Sequence, residues 1–173
     1  TGVDRDLVRP LSSRLISQFQ NIYLNTKVVS CELKDNRVEV QFDGDAKTSS
    51  YDRVLVAVGR KPNTVDIGLE STGVKTDGHG FIQVNEQFQT DESSIFAIGD
   101  VIGGAMLAHK ASAEGKDVVG ILAGDKPSLK ARTIPAVVFT DPEIAWCGLT
   151  ETEAKNKDIK VHIAKFPWGA SGR

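Results

Sequence analysis

The apolar positions of this chain change period several times, and each change marks an element. Between Asp4 and Phe19, Leu7, Leu11, Leu15, Ile16 and Phe19 recur at helical spacing, while Arg5, Arg9, Arg14 and Gln18 take other positions. That pattern predicts an amphipathic helix. Pro10 lies inside it, removes one backbone donor and predicts a kinked or shortened helix. Val28–Leu33 and Val38–Phe42 read as strands, and Asp35-Asn36 between them is a turn signal, so a hairpin is expected. Tyr51 to Val58 (YDRVLVAV) is almost continuously apolar from Val54 on. Such a run predicts a strand buried on both faces of an α/β sheet, ending at Gly59.

Beyond Pro62 the pattern loosens. Asn63 to Gly80 is rich in Gly, Thr and Asp, with Ile67 and Leu69 as apolar plugs. Phe81–Val84 and Ile95–Ile98 read as short strands, and Ala105–Leu122 as a long helix that tolerates Gly115 and Gly120. Gly124-Asp125-Lys126-Pro127 supplies the stop. Ile134–Phe139 reads as a strand, starting around Pro135. Thr150 caps a charged helix with Glu153 in the capping-box position. Ile159–Phe166 reads as a last strand. The order of strands and helices predicts an α/β class with mixed α+β parts.

One stretch concentrates candidate chemistry. Ile95 to Lys110 reads IFAIGDVIGGAMLAHK: an apolar strand that stops at Gly99-Asp100, a glycine-bearing turn, then a helix. A glycine at the stop admits close approach of a ligand to the backbone. Asp100 offers an acceptor for a hydroxyl, and the helix start offers N–H groups and a positive dipole end. These parts suit a ligand that combines a polyol with an electron-rich oxygen or nitrogen, such as a flavin nucleotide.

Bulk properties narrow the alternatives. The chain has 173 residues, 40% hydrophobic and 25% charged, with a formal net charge of −2. No excess of positive charge argues for nucleic acid or an anionic membrane, and no apolar run approaches the length of a bilayer span. Cys31 and Cys147 form no C-x-x-C and are expected to be buried structural thiols. His79, His109 and His162 are scattered, so no metal is assigned. No G-x-G-x-x-G and no Walker loop occurs. The chain opens on Thr1 without a signal-peptide pattern and closes on FPWGASGR, so both ends are expected to be cut.

VLVAVGRKPN (Val54–Asn63), IFAIGD (Ile95–Asp100), MLAHKASAEG (Met106–Gly115) and FTDPEIAWCGLTETEA (Phe139–Ala154) followed by FPWGASGR together resemble the flavin-dependent pyridine nucleotide–disulfide oxidoreductases. The first two are shared across that family. MLAHKASAEG and FPWGASGR are similar to its dihydrolipoyl-oxidising branch. The resemblance covers nearly the whole chain and falls on the middle of the family sequence. It implies partial FAD/NAD(P)-binding Rossmann-like domains plus the start of an α+β dimerisation domain. Residues 1–61 would be the second half of the NAD-binding domain, 62–127 the central FAD-binding segment and 128–173 the start of the interface domain.

The same resemblance implies an activity and its partners. The parent protein would oxidise dihydrolipoamide with NAD through FAD and a redox disulfide. It would work as a homodimer with the lipoyl-bearing components of 2-oxo acid dehydrogenase complexes, without nucleic acid or membrane, in a bacterial cytoplasm or an organellar matrix. Family members also carry a redox cysteine pair, two G-x-G-x-x-G motifs and a histidine–glutamate acid–base pair. None of these is in this sequence, so no catalytic residue is assigned and the 173 residues alone are expected to be inactive. By correspondence, Asp100 would bond a ribityl hydroxyl of FAD. Met106, Leu107, Ala108 and His109 would run beneath the flavin edge, and Val28 and Gly59 would lie against NAD. Ala105 departs from the proline usual in relatives, which alters the stiffness of that turn. Glu114 reads as a helix-surface charge. The rival readings are a mercuric reductase or transhydrogenase-like branch and a non-catalytic α/β interaction module.

Overall fold

The computed structural model describes residues 2–44, 48–125 and 133–171. Its elements in chain order are α1 (Arg5–Gln18), β1 (Val28–Lys34), β2 (Arg37–Phe42), β3 (Ser49–Tyr51), α2 (Ala108–Leu122), β4 (Ala136–Val138), β5 (Ile144–Trp146) and α3 (Glu151–Asn156). Short 3-10 turns lie at Leu69–Ser71, Gly99–Ile102 and Trp168–Ser171. The mixture of helix and strand agrees with the expected α/β class. Two compact units divide the chain: residues 14–61, and residues 1–13 together with 62–173. The expected boundary at 127–128 and the helix stop at Lys126-Pro127 lie outside the described residues.

α1 is not shortened at Pro10: it runs through the proline from Arg5 to Gln18, one residue inside the apolar pattern at each end, and buries Leu11. In the 14–61 unit, β1, β2 and β3 form an antiparallel sheet in that order. Asp35 and Asn36 take φ of 47° and 65° between β1 and β2. Those left-handed values match the right-handed twist of a two-residue hairpin, and Asp and Asn tolerate them best among residues with a side chain. Val40, on the central strand, is 3% exposed. Cys31 faces Val40 across the ladder but sits on the edge strand β1. It is exposed, as is Cys147, so neither is the buried thiol that its sequence context suggested.

The apolar run after Tyr51 does not become a strand. β3 ends at Tyr51, residues 53–61 carry no ladder, and Leu55 and Val58 are 93% and 92% exposed. A strand requires a partner for its N–H and C=O groups, and no described strand pairs with this run. Ile159–Phe166 is likewise without a ladder and exposed. Phe81–Val84 and Ile95–Ile98 contract to single bridges, Thr76 with Ile82 and Gln89 with Phe96.

Those bridges sit on two side-chain-braced loops. The Asp77 carboxylate accepts the N–H of His79 at 2.8 Å and of Phe81 at 3.0 Å. Asn85 accepts the N–H of Gln87 and Gln89 in the same way. Ile82, Thr90 and Ala97 are buried in this stretch. Elsewhere in that unit, β4 and β5 make an antiparallel ribbon. α3 follows with the expected capping box: Thr150 accepts the Glu153 N–H through its hydroxyl, and Glu153 accepts the Thr150 N–H. Ala154 is 1% exposed.

Candidate functional site

The braced loops deliver residues 98–103 to one place. The N–H of Ile82 donates to the carbonyl of Val101 at 2.8 Å, fastening the segment from the side. Ile98 is extended, and Gly99 then turns to φ 77°. A Cβ on Gly99 would stand 3.1 Å from the Cβ of Ala111, so α2 and the end of this segment approach as closely as a glycine permits. Asp100 follows in the 3-10 turn with its residue exposed, while Gly99 and Gly103 on either side are buried. A Cβ on Gly103 would meet the Phe81 ring at 3.3 Å.

α2 begins at Ala108, three residues later than the pattern predicts. Gly103 and Gly104 both have positive φ, and the Leu107 N–H closes a tight turn onto the Ala105 carbonyl at 3.0 Å. Leu107, extended, is the N-cap residue, and no side chain caps the helix. The N–H of Ala111 makes the first bond back to Leu107, at 3.1 Å. The N–H groups of Ala108, His109 and Lys110 therefore precede the helical ladder, and the positive end of α2 has no acidic residue in its first turn. Met106 and Leu107 are half-buried; Ala108 and His109 are exposed.

His109 is tied down. Its Nε2 lies 2.8 Å from the carbonyl of Pro135. A carbonyl only accepts, so Nε2 carries the proton in this contact. The bond links the start of α2 to the residue preceding β4. Beside it a hollow of about 490 Å³ is lined by His109, Pro135, Trp146 and Cys147, among others. A larger hollow, about 610 Å³, lies elsewhere in the unit, between residues 4–7 and 161–166, and contains none of the candidate cofactor-binding residues.

Glu114 corrects the sequence reading most sharply. It is not a surface charge: its side chain is 12% exposed and that of Lys110, one turn earlier, 11%. The two form an ion pair at 2.8 Å. The other Glu114 oxygen accepts the Gly99 N–H at 2.8 Å, and Lys110 Nζ lies 3.5 Å from the Gly99 carbonyl. Sequence reasoning missed this link because it joins residues 15 apart through a turn whose path the sequence leaves open. The one available signal was a Lys-x-x-x-Glu pair on a helix otherwise apolar at that face.

Val28 and Gly59 lie in the other compact unit. Val28 opens β1 and is 56% exposed. Gly59 has φ 110°, which favours glycine, but it ends no buried strand; it sits in the irregular, exposed stretch after β3. Among the described residues no cluster of three or more His, Cys, Asp or Glu could hold a metal ion, and no helix is long and apolar enough to cross a membrane.

Comparison with known proteins gives consistent results. A family model described as pyridine nucleotide-disulphide oxidoreductase matches residues 2–115, and the dimerisation-domain model of the same family matches residues 134–173. A dihydrolipoyl dehydrogenase from Vibrio cholerae is 42% identical over 175 residues, covering 99% of this chain and 37% of the relative. One from Buchnera aphidicola subsp. Schizaphis graminum is 43% identical over 176 residues, with the same coverage. This chain thus spans little more than a third of the length of these relatives. Among solved structures, LpdA from Mycobacterium tuberculosis superposes with a TM-score of 0.81 at 26% identity, over 91% of this chain and 34% of that one. The HOCl-induced flavoprotein disulfide reductase RclA from Escherichia coli gives 0.80 at 27%, over 89% and 35%.

Proposed function

We propose, because this chain belongs to the pyridine nucleotide-disulphide oxidoreductase family, that it is the central part of a dihydrolipoyl dehydrogenase. The carrying observation is the 42–43% identity to dihydrolipoyl dehydrogenases across 99% of the chain. In that activity a dihydrolipoyl dithiol is oxidised to its disulfide. Two electrons and one proton reduce NAD to NADH, and a second proton goes to solvent. The protein acts on lipoyl groups borne by 2-oxo acid dehydrogenase components, as a homodimer in a bacterial cytoplasm or an organellar matrix. The match to a dimerisation domain supports the dimer. Residues 1–61 complete an NAD domain, 62–127 an FAD domain and 128–173 open the interface domain.

The residues present fit a flavin. An exposed carboxylate at Asp100, a buried glycine at Gly99 and an uncapped helix start at Ala108 lie within one short stretch. FAD, when bound, supplies two-electron transfer between thiols and nicotinamide. Asp100 accepts a hydrogen bond from a ribityl hydroxyl, a charge-assisted contact that fixes the ligand's register. The backbone of Met106 to His109 would hold the ring edge, and the leading N–H groups of α2 would favour negative charge there. His109 positions the helix start through Pro135 and does not transfer a proton. Val28 and Gly59 contribute backbone to the NAD site.

The test uses the full-length protein. Dihydrolipoamide-dependent formation of NADH and a bound yellow flavin are expected. Asp100→Ala is expected to weaken FAD binding about 10- to 100-fold, the loss of one hydrogen bond to a charged group. A full-length protein that holds no flavin, or that fails to oxidise dihydrolipoamide, overturns the assignment.

A further inference from the structure

Resting on the flavin reading above, we propose that Glu114, backed by Lys110, is a positioning residue for the FAD site: it clamps the Gly99 peptide and thereby fixes where Asp100 sits relative to the open start of α2. Three observations carry this. The Gly99 N–H is inside the fold and would lack a helical or strand partner; Glu114 takes it at 2.8 Å. Lys110 holds the free side of the Glu114 carboxylate at 2.8 Å and approaches the carbonyl of the same glycine, so the pair addresses the two peptide groups that flank the Gly99 Cα. An added Cβ on Gly99 would stand 3.1 Å from the Cβ of Ala111, so α2 passes close beside this residue.

Helix stability does not account for the pair. Both side chains are about nine-tenths covered, and burying two charges carries a desolvation penalty that a well-placed ion pair only offsets. Lysine preceding glutamate at i,i+4 is the poorer orientation on a helix, and Lys110 stands in the first turn, at the positive end of the dipole. What the arrangement does supply is a rigid joint. α2 carries the N–H groups that face the ligand, residue 100 carries the carboxylate, and Glu114 is the side chain that spans the two. Its 2.8 Å contact is the stronger; the 3.5 Å approach of Lys110 is long, so Lys110 acts chiefly by holding the carboxylate oriented.

Two readouts on the full-length protein test the proposal. The first is hydrogen exchange at the Gly99 amide in the apoprotein, which does not depend on the flavin reading. The second is the FAD dissociation constant, with the redox potential of the bound flavin, on the loaded protein below its melting temperature. Glu114→Ala is expected to speed Gly99 exchange and to weaken FAD binding, each by roughly 10-fold, and to move the potential. Glu114→Gln keeps an acceptor for the N–H and is expected to recover most of both. If Glu114→Ala does not fold, Lys110→Met carries the test, with a smaller loss of FAD affinity expected. Gly99 exchange unaltered in these variants overturns the clamp. Exchange that quickens while affinity and potential stay constant reduces Glu114 to a purely structural contact and overturns the positioning role. If Asp100→Ala leaves FAD affinity untouched, the flavin reading itself falls, and the exchange measurement still reports separately on the clamp.

Discussion

Gly99 and Gly115 occupy the same crossing of chain segments but obey different constraints. Gly99 combines a left-handed φ of 77° with a 3.1 Å approach to the Cβ of Ala111. Gly115 is helical, and an added Cβ there would meet only the Cδ1 tip of Ile98 at 3.3 Å. Gly99→Ala should therefore destabilise the protein by about 1–3 kcal/mol, through strain and overpacking together. Gly115→Ala should be close to neutral, because the helix gains up to about 1 kcal/mol from alanine while the flexible end of Ile98 yields. Denaturant midpoints of the two variants check this; equal losses would contradict it. The sequence announces Gly99-Asp100 clearly, since a glycine that terminates an apolar run is a local signal. It does not announce Glu114 or Pro135, whose roles depend on which distant backbone atom each side chain meets. It also misplaces Cys31, because alternation reveals the face of a strand but not whether that strand lies at the edge of its sheet.

At the scale of elements, legibility follows the range of the forces involved. The hairpin turn at Asp35-Asn36 and the capping box of α3 are satisfied by atoms a few residues apart, and both form where the pattern puts them. The start of α2 is displaced to Ala108 because two consecutive glycines extend the turn. The runs at 54–58 and 159–166 do not become strands, since apolarity marks a segment fit for burial without supplying the neighbour it needs. The α3 cap gives a testable case. Thr150→Ala should cost about 1 kcal/mol. The Thr150 backbone N–H, followed by its hydroxyl, holds the Glu153 carboxyl below its ordinary range. A depressed carboxyl stabilises the fold above its unfolded value and loses that contribution as pH falls through the lower, folded one. Amide shifts of Thr150 and Glu153 should therefore begin to change only below the usual glutamate range, about pH 4, and Thr150→Ala should move that onset upward. Because alanine keeps the backbone N–H, that shift should be partial, and an onset identical to that of the parent would contradict the hydroxyl's share in lowering the carboxyl.

At the scale of the whole molecule, the described surface carries more apolar area than its two compact units cover. Leu55, Val58 and Phe139 are 93%, 92% and 82% exposed, and Val65 and Leu33 are 77% and 75% exposed. Single exposed apolar residues are ordinary, but runs of them mark surfaces meant to be covered. Leu55 and Val58 belong to one such run, whose Val54 and Val56 are also exposed, and Phe139 directly follows β4. Among these residues the unmatched run at 54–58 matters most, because it combines apolar side chains with backbone groups that no described ladder satisfies, the combination that drives edge-to-edge association. The 173-residue chain should thus self-associate. Light scattering should give a mass above the 18.7 kDa of one chain, rising with concentration. Charged substitutions at Leu55 and Val56 should lower that mass more than the same change at Leu33, which lies in a strand whose ladder to β2 is already made. A mass that stays at one chain across the accessible range, or a Leu33 variant that disperses the chain as well as the Leu55 and Val56 pair, would overturn this account of the exposed run.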